Sequence, residues 1–333
     1  GLVGLTGTGK TVTILHLLNQ IKNLSDKFLV RYVNCANKTS NQVLQLILGE
    51  TTTKSISDET LIKSFLENLD KENKNCFIVL DEIDRGRKLN NLIYVLSRIN
   101  ELYPHFQHKL NLILISNDLN FLDKVDPAIR SSLNLRTIYF EPYTKKMIKD
   151  ILKDRIELGF KNEKAISNEQ IDLIAKKVVE ERQGDCRTAI KTLFYSAKRA
   201  EEDNREIILD RDIELMFSHA IKDLEKDRVT RLTNIQLFVL YSAIHSEDKQ
   251  LRGIYNKYLE FAKKVRIESN ISDITIFSWL DYLSQQCLIQ RQIKLIKGNP
   301  PRKEARFIAK IKKEIVEEEV EMRLANIVKQ EQK

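Results

Sequence analysis

The chain has 333 residues, 42% hydrophobic and 31% charged, which is enough for two or three domains that each bury a core. No apolar run nears the roughly 20 residues that span a bilayer, and no signal-peptide pattern opens the chain, so a membrane-spanning helix is excluded and a cytoplasmic, nucleoid-associated location is expected. Of the net charge of +8, residues 225–313 carry the excess, with 18 Lys and Arg against 9 Asp and Glu; such a localised field suits a polyanion such as DNA, the plain alternative being a solvated lysine-rich surface.

The chain opens at Gly1 directly on a short apolar strand. Nucleotide folds carry earlier residues that pair at the sheet or cover the base, so a trimmed N-terminus lacking an adenine-contacting segment is expected. The strand runs into Gly4-x-x-x-x-Gly9-Lys10-Thr11, the pattern of a phosphate-binding loop. Gly4, Gly7 and Gly9, with Thr6 and Thr8 between them, let backbone N–H groups turn inward toward phosphate oxygens at the positive end of the next helix. Lys10 then reaches the β- and γ-phosphates and Thr11 holds Mg²⁺. A bare match of this kind also occurs by chance in glycine-rich turns.

Val12, Leu15, Leu18 and Ile21 recur at helical spacing, and Phe28 to Val33 reads as a strand, completing a strand, helix, strand unit of a parallel α/β sheet. Helices are predicted over Thr39–Leu48 and Asp58–Leu69. Cys76–Leu80 is a buried strand that ends on Asp81-Glu82-Ile83-Asp84, and carboxylates at the carboxyl end of a parallel strand sit where open α/β sheets bind ligands. There Asp81 holds Mg²⁺ through water and Glu82 polarises the attacking water, the bland alternative being a polar turn. A helix over Leu89–Ile99, a strand over Leu110–Ser116 ending on Asn117-Asp118, and a short strand over Thr137–Phe140 complete an α/β domain of residues 1–143.

Beyond Tyr143 the strand signal vanishes. Helical spacing over Lys145–Leu158, Asn168–Arg182, Arg187–Glu202 and Asp210–Asp223 predicts an all-α domain, residues 144–224. Gly184-Asp185 separates two of these helices with Asp185 as N-cap, which leaves Arg187 in a first turn, opposed to the helix dipole and in need of a phosphate or carboxylate partner. In residues 225–333, helices over Asn234–His245, Arg252–Val265 and Ser272–Gln286 precede a strand over Ile289–Ile296, a turn at Gly298–Pro301 and a returning run over Ala305–Ile311. Three helices and a hairpin make a winged helix, with Arg291, Lys294, Lys297, Arg302, Lys303 and Arg306 placed for phosphates. Ser272 and Thr275 begin the recognition helix; with no Arg or Lys there, the wing is expected to dominate binding over base readout. The last helix, Ile311–Val328, reads as a solvated or partner-facing helix of mixed charge. The cysteines, Cys35, Cys76, Cys186 and Cys287, are far apart with no C-x-x-C pair, which points to reduced thiols and away from zinc, and the His105, His108 pair has no further ligands nearby.

Taken together, Gly4–Thr11, Tyr32–Cys35, Val79–Asp84, Ile115–Asp118, Asp126-Pro127 with Ser131–Leu133, Phe140 with Pro142-Tyr143, Gly184–Ala189, Gln236 with Leu240, and Ile254-Tyr255 with Tyr258 resemble the archaeal replication initiators. These are AAA+ proteins akin to the eukaryotic origin recognition subunit one and its cell-division-cycle loader partner. The resemblance implies an AAA+ ATPase domain, a helical lid and a winged helix that bind ATP or ADP with Mg²⁺ and double-stranded origin DNA. It also implies the replicative helicase as partner, and paralogous initiator subunits. Asn117 matches the first sensor, on the γ-phosphate or attacking water, and Arg187 the second, on the phosphates from the lid. The helix at Thr39–Leu48 falls where the family carries a DNA-touching insertion. Where the family offers an arginine two residues beyond Asp126, this sequence has Ala128, with Arg130 two further on, a departure from the pattern of an arginine finger acting in trans. The implied function is ATP-dependent replication initiation with slow hydrolysis as a switch. The alternatives are a nucleotide-binding transcriptional regulator or signalling module with little turnover, and a clamp-loader or mobile-element AAA+ ATPase.

Overall fold

A computed structural model describes residues 1–49, 56–86, 89–105, 110–133, 135–266, 271–285, 288–296 and 302–331, and the chain divides into two compact units, Gly1–Leu193 and Phe194–Lys333. In the first unit, β1 (Leu2–Gly4) leads into α1 (Lys10–Leu24), followed by β2 (Phe28–Asn34), α2 (Ser40–Leu48), α3 (Asp58–Glu72) and β3 (Asn75–Asp81). Then come α4 (Asn90–Ser97), α5 (Ile99–Leu102), β4 (Leu110–Ser116), α6 (Phe121–Lys124), α7 (Pro127–Leu133) and β5 (Ile138–Phe140). Helices α8 (Lys145–Gly159), α9 (Asn168–Arg182) and the start of α10 (Cys186–Glu202) complete it.

The five strands run parallel in the order β2-β3-β4-β1-β5. Strand β3 is covered on both faces, which is why it reads as an unbroken apolar run. Cys76, Ile78 and Leu80 meet Leu44, Ile47, Phe65, Leu69 and Ile93 of the helices on one side, while Val79 meets Leu2, Ile14, Leu18 and Ile115 on the other. Helix α1 corrects one expectation: its buried stripe is Lys10, Ile14 and Leu18, whereas Val12 and Leu15 are exposed. The loop lysine sets the inward face, so the stripe starts from Lys10 and not from Val12. In the helical part, Ile148, Leu152 and Ile156 of α8 pack with α9, whose N-terminus is a reciprocal capping box between Ser167 and Gln170.

The second unit holds α11 (Asp210–Thr230), α12 (Asn234–His245), α13 (Leu251–Lys264), α14 (Asp273–Gln285), the antiparallel hairpin β6 (Ile289–Ile296) and β7 (Arg302–Ala309), and α15 (Lys313–Glu331). Helix α11 runs unbroken through residue 224, beyond the end at Asp223 that its periodicity suggests. Helix α12 is the centre, with Leu237, Phe238, Val239, Leu240 and Ala243 all buried, and α13, α14, α15 and β7 pack around it. Gln236, Leu240, Ile254 and Tyr258, singled out by the resemblance, are all core residues. The expectation of a solvated or partner-facing last helix is overturned: α15 lies against α11 and α12 and buries Ile315, Val316, Glu319 and Val320. Cys35, Cys76 and Cys186 are buried and unbridged, and burial pushes their thiols up to about 12, 12 and 11. Among the described residues, no helix is long and apolar enough to cross a membrane.

Candidate nucleotide site

The glycine-rich loop sits at the carboxyl end of β1, between β4 and β5 in the sheet. Gly9 caps α1 in the left-handed region at φ 87°, and Gly7 is left-handed at φ 84° with the Asp185 carboxylate standing where a Cβ would be. Any side chain at Gly7 meets both barriers, conformational and steric. Thr6 is exposed, whereas Thr8 is buried with its hydroxyl donating to Leu5 O at 2.8 Å, so Thr8 shapes the loop. Lys10 is buried, and its Nζ donates to Gly4 O at 2.7 Å and Leu5 O at 2.8 Å. Burial pushes the ammonium down to about 8, against the pull of the Asp81 and Asp84 carboxylates, which favour its charge.

That value gives a pH dependence with a definite sign. Phosphate is held by the charged lysine, so nucleotide affinity should be level below about pH 8 and fall by up to about tenfold per pH unit above it as Lys10 loses its proton. Titrations with a fluorescent ADP analogue across this range check it; a profile level to about pH 10 would contradict it.

Beside the loop, the Thr11 hydroxyl donates to Asp81 Oδ2 at 2.8 Å and the Tyr32 hydroxyl donates to the same oxygen at 2.6 Å. The Glu82 amide donates to Asp81 Oδ1 at 2.7 Å. Burial, reinforced by the bond to Asp81, pushes the Tyr32 phenol above its ordinary range. Glu82 is left-handed at φ 50°, the entry to a 3-10 turn over Ile83–Arg85, and its Oε1 accepts from Arg85 Nη1 at 2.9 Å, both side chains being less than a fifth exposed. Asp84 Oδ1 accepts from the Asn117 amide at 3.1 Å, tying the end of β4 to the end of β3. Burial holds the Asp84 carboxyl above the usual carboxylate range, against the bonds it receives from Asn117 and Ser116.

Asp185 caps α10, as its position implies, by accepting from the Arg187 amide at 3.1 Å. Its carboxylate also takes the Arg187 guanidinium in a fork, with Nε at 3.1 Å from Oδ1 and Nη2 at 3.0 Å from Oδ2. The partner that a first-turn arginine requires is therefore a carboxylate, and that carboxylate stands on Gly7 of the loop. The Cys186 amide reaches Gly7 O at 3.4 Å, so the α9–α10 turn and the phosphate loop form one site. The structure thus gathers the loop, Asp81, Glu82, Asn117 and Arg187. It adds Tyr32, Arg85 and Asp185; Tyr32 opens one of the stretches that carry the family resemblance and Asp185 has the Asp-x-Arg spacing at a helix start, whereas Arg85 has no sequence signal. Arg130, beyond the site's motifs, pairs with Asp123 at 3.1 Å on an exposed surface.

In the second unit, the expected DNA contacts are partly engaged within the chain. Ser272 caps α14 through the Thr275 amide at 3.3 Å, and the Ser272 and Thr275 hydroxyls are 3.0 Å apart. Arg291 lies over the Phe277 ring at 5.0 Å and 3.5 Å from Asp281, and Arg306 pairs with Glu304 at 3.0 Å. In register, Lys294 faces Glu304, Lys303 faces Leu295 and Arg302 faces Ile296. The side chains of Lys294, Arg302 and Lys303, and Lys297 entirely, lie outside the described residues.

Residues 2–124 match the AAA domain family and residues 149–215 the Cdc6 AAA+ ATPase-type lid domain. The ORC1-type DNA replication protein 1 of Sulfolobus acidocaldarius is 32% identical over 293 residues, covering 82% of this chain and 72% of its own length. That of Methanosarcina acetivorans is 29% identical over 289 residues, covering 80% and 68%. Among solved structures, the Aeropyrum pernix ORC1 protein in complex with DNA has a TM-score of 0.71 at 23% identity, covering 96% of this chain and 85% of that one. Cdc6p from Pyrobaculum aerophilum has a TM-score of 0.57 at 18% identity, covering 97% and 87%. These two likenesses are of fold. With an AAA domain, a Cdc6-type lid and a relative of 32% identity over most of its length, the chain belongs to the family of ORC1-type DNA replication proteins.

Proposed function

We propose that this protein is a replication initiator that binds origin duplex DNA, hydrolyses ATP slowly as a switch and helps to recruit or load the replicative helicase. The observation that carries the nucleotide half is the Thr11 to Asp81 bond across the mouth of the phosphate loop. With its proton directed at Asp81 Oδ2, the Thr11 hydroxyl keeps its lone pairs for Mg²⁺, and Asp81 would hold the ion through a water, since Mg²⁺ takes one or two protein groups and completes its shell with phosphates and water. When bound, the ion neutralises charge on the β- and γ-phosphates. The loop amides and the α1 dipole hold the phosphates, and Lys10 adds its charge. Glu82 orients and polarises the attacking water, and Asn117, anchored through Asp84, stands at the end of β4 beside it. Arg187 reaches the phosphates from the lid by exchanging the Asp185 carboxylate for a phosphate.

Slow turnover has support in two contacts. Arg85 holds the Glu82 carboxylate and Asp185 holds Arg187, so both groups must leave an ion pair to act. The same contacts also favour the second reading, a nucleotide-binding regulator with little turnover.

For DNA, the α12–α14 helices with the β6–β7 hairpin support a winged-helix reading in which the hairpin is the wing. The helix α2, at the place of the family's DNA-touching insertion, would add a contact, and the ATP state would set the engagement of both. The wing is tested by Arg302→Glu combined with Lys303→Glu. Duplex affinity should fall to a similar extent for all sequences, and the slope of log affinity against log salt should flatten by about 2, since each phosphate contact contributes about 0.9. Fluorescence anisotropy with origin and scrambled duplexes at several salt concentrations measures both quantities. Unchanged binding would remove the wing from the interface.

A further inference from the structure

Tyr32 is on β2, the edge strand, at the register position opposite Val79, two residues before Asp81 on the neighbouring strand. Two residues along a strand return to the same face, so its ring runs along the sheet surface toward Asp81, and its hydroxyl ends 2.6 Å from Asp81 Oδ2. Asp81 is only 3% exposed. An ionised carboxylate offers about four lone-pair sites. Here Thr11 and Tyr32 occupy both on Oδ2, and the Glu82 amide takes one on Oδ1, which leaves a single acceptor direction, on Oδ1, for a metal-bound water.

Thr11 and the Glu82 amide hold one site on each oxygen and leave one acceptor direction open on each, so the carboxylate has two ways to meet the cation's water. The phenol closes the one on Oδ2. We infer that Tyr32 is a positioning residue of this site, locking the Asp81 carboxylate in the one orientation that, with Thr11, receives a divalent cation. The inference rests on the nucleotide and magnesium reading above. It assigns to the end of β2 a role that neither the loop motif nor the Asp81-Glu82 motif contains.

Tyr32→Phe removes one oxygen and keeps the ring. Binding of a fluorescent ADP analogue is measured first in EDTA and then as a function of Mg²⁺, with thermal melting as a check on the fold. In EDTA the variant should match the wild type within about twofold. The Mg²⁺ concentration that half-completes the tightening of ADP should rise about tenfold, as for loss of other groups that orient metal ligands, and saturating Mg²⁺ should restore wild-type affinity. An unchanged Mg²⁺ midpoint would overturn the inference. A lowered midpoint would overturn it too, since the tyrosine would then compete with the cation. If the variant binds ADP more weakly in EDTA to the same degree as in Mg²⁺, Tyr32 shapes the nucleotide pocket and the inference fails. A wild type whose ADP binding ignores Mg²⁺ would instead overturn the magnesium reading on which the inference rests.

Discussion

Glu82→Gln is expected to lower ATP consumption by at least about a hundredfold while nucleotide stays bound, because a positioned general base contributes on the order of 10² to 10⁴ in rate. The substitution is nearly isosteric. Its amide oxygen can still accept from Arg85 Nη1, now 2.9 Å from Glu82 Oε1, and glutamine meets the same backbone demand at φ 50°. A non-glycine residue held left-handed at the end of a buried strand is a strained position of the kind found at functional sites, at a cost of about 1 kcal/mol or more. Only the negative charge and the ability to take a proton are lost, so binding, which rests on the loop and Lys10, should be unaffected or slightly stronger. A coupled assay of ADP release, run beside ADP-analogue binding on the same preparation, measures both effects. Unchanged ATP consumption would show that Glu82 is not the base; a wild type with little turnover of its own, its Glu82 carboxylate kept paired with Arg85, would instead favour the regulator reading.

The parallel sheet was legible where physics leaves a local mark. Cys76–Leu80 is apolar because β3 is covered on both faces, and its end on Asp81-Glu82 is abrupt because the chain there leaves the core for the ligand edge. Helices α9 and α12 carry polar caps, Ser167 with Gln170 and Thr233 with Gln236, and their ends coincide with those read from periodicity. The strand order β2-β3-β4-β1-β5 has no such local signature, since register between strands far apart in sequence is set by packing. Helix α15 misled for a different reason. Its inward seam is narrow, interrupted by the buried Glu319, and its remaining faces alternate in charge, so it resembles a solvated helix until its neighbours are present.

The site divides in the same way. Gly4 to Thr11 and Asp81-Glu82 are contiguous, and backbone chemistry makes them readable. The groups that control them come from elsewhere in the chain: Tyr32 reaches Asp81 across 49 positions, and Asp185 stands on Gly7 only because α10 begins beside the loop. Arg85 is three residues from Glu82, yet its pairing depends on the 3-10 turn between them, which composition does not announce. For Ser272 and Thr275 the capping pattern and the DNA-contact pattern are the same residues, so the sequence supports both readings equally.

Arg323→Ala is expected to destabilise the second unit by about 3–5 kcal/mol, the range for removing one partner of a buried ion pair. The guanidinium of Arg323, on α15, meets acceptors on all its nitrogens. Nε donates to Glu319 Oε1 at 2.8 Å, Nη1 to Leu232 O at 2.6 Å and Asn234 Oδ1 at 3.0 Å, and Nη2 to Thr230 O at 2.8 Å and Val229 O at 3.5 Å. Two of these carbonyls, Val229 and Thr230, close α11, where the last turn has no intrahelical donors and the dipole presents negative charge. The arginine thus caps α11, fastens the turn into α12 and neutralises Glu319, which is 3% exposed. Alanine leaves that carboxylate buried without its charge partner and strips donors from the helix end together. Lysine should recover little, because a point charge cannot reach in five directions as the planar fork does. Replacing Glu319 as well, by leucine, should return part of the loss, since the penalty of an unpaired buried charge is then gone. Urea unfolding of the three variants measures this. A loss below about 1 kcal/mol for Arg323→Ala, or no recovery when Glu319 is also replaced, would mean that packing of Ile315, Val316 and Val320 alone holds α15 in place and that the arginine decorates a helix already fixed.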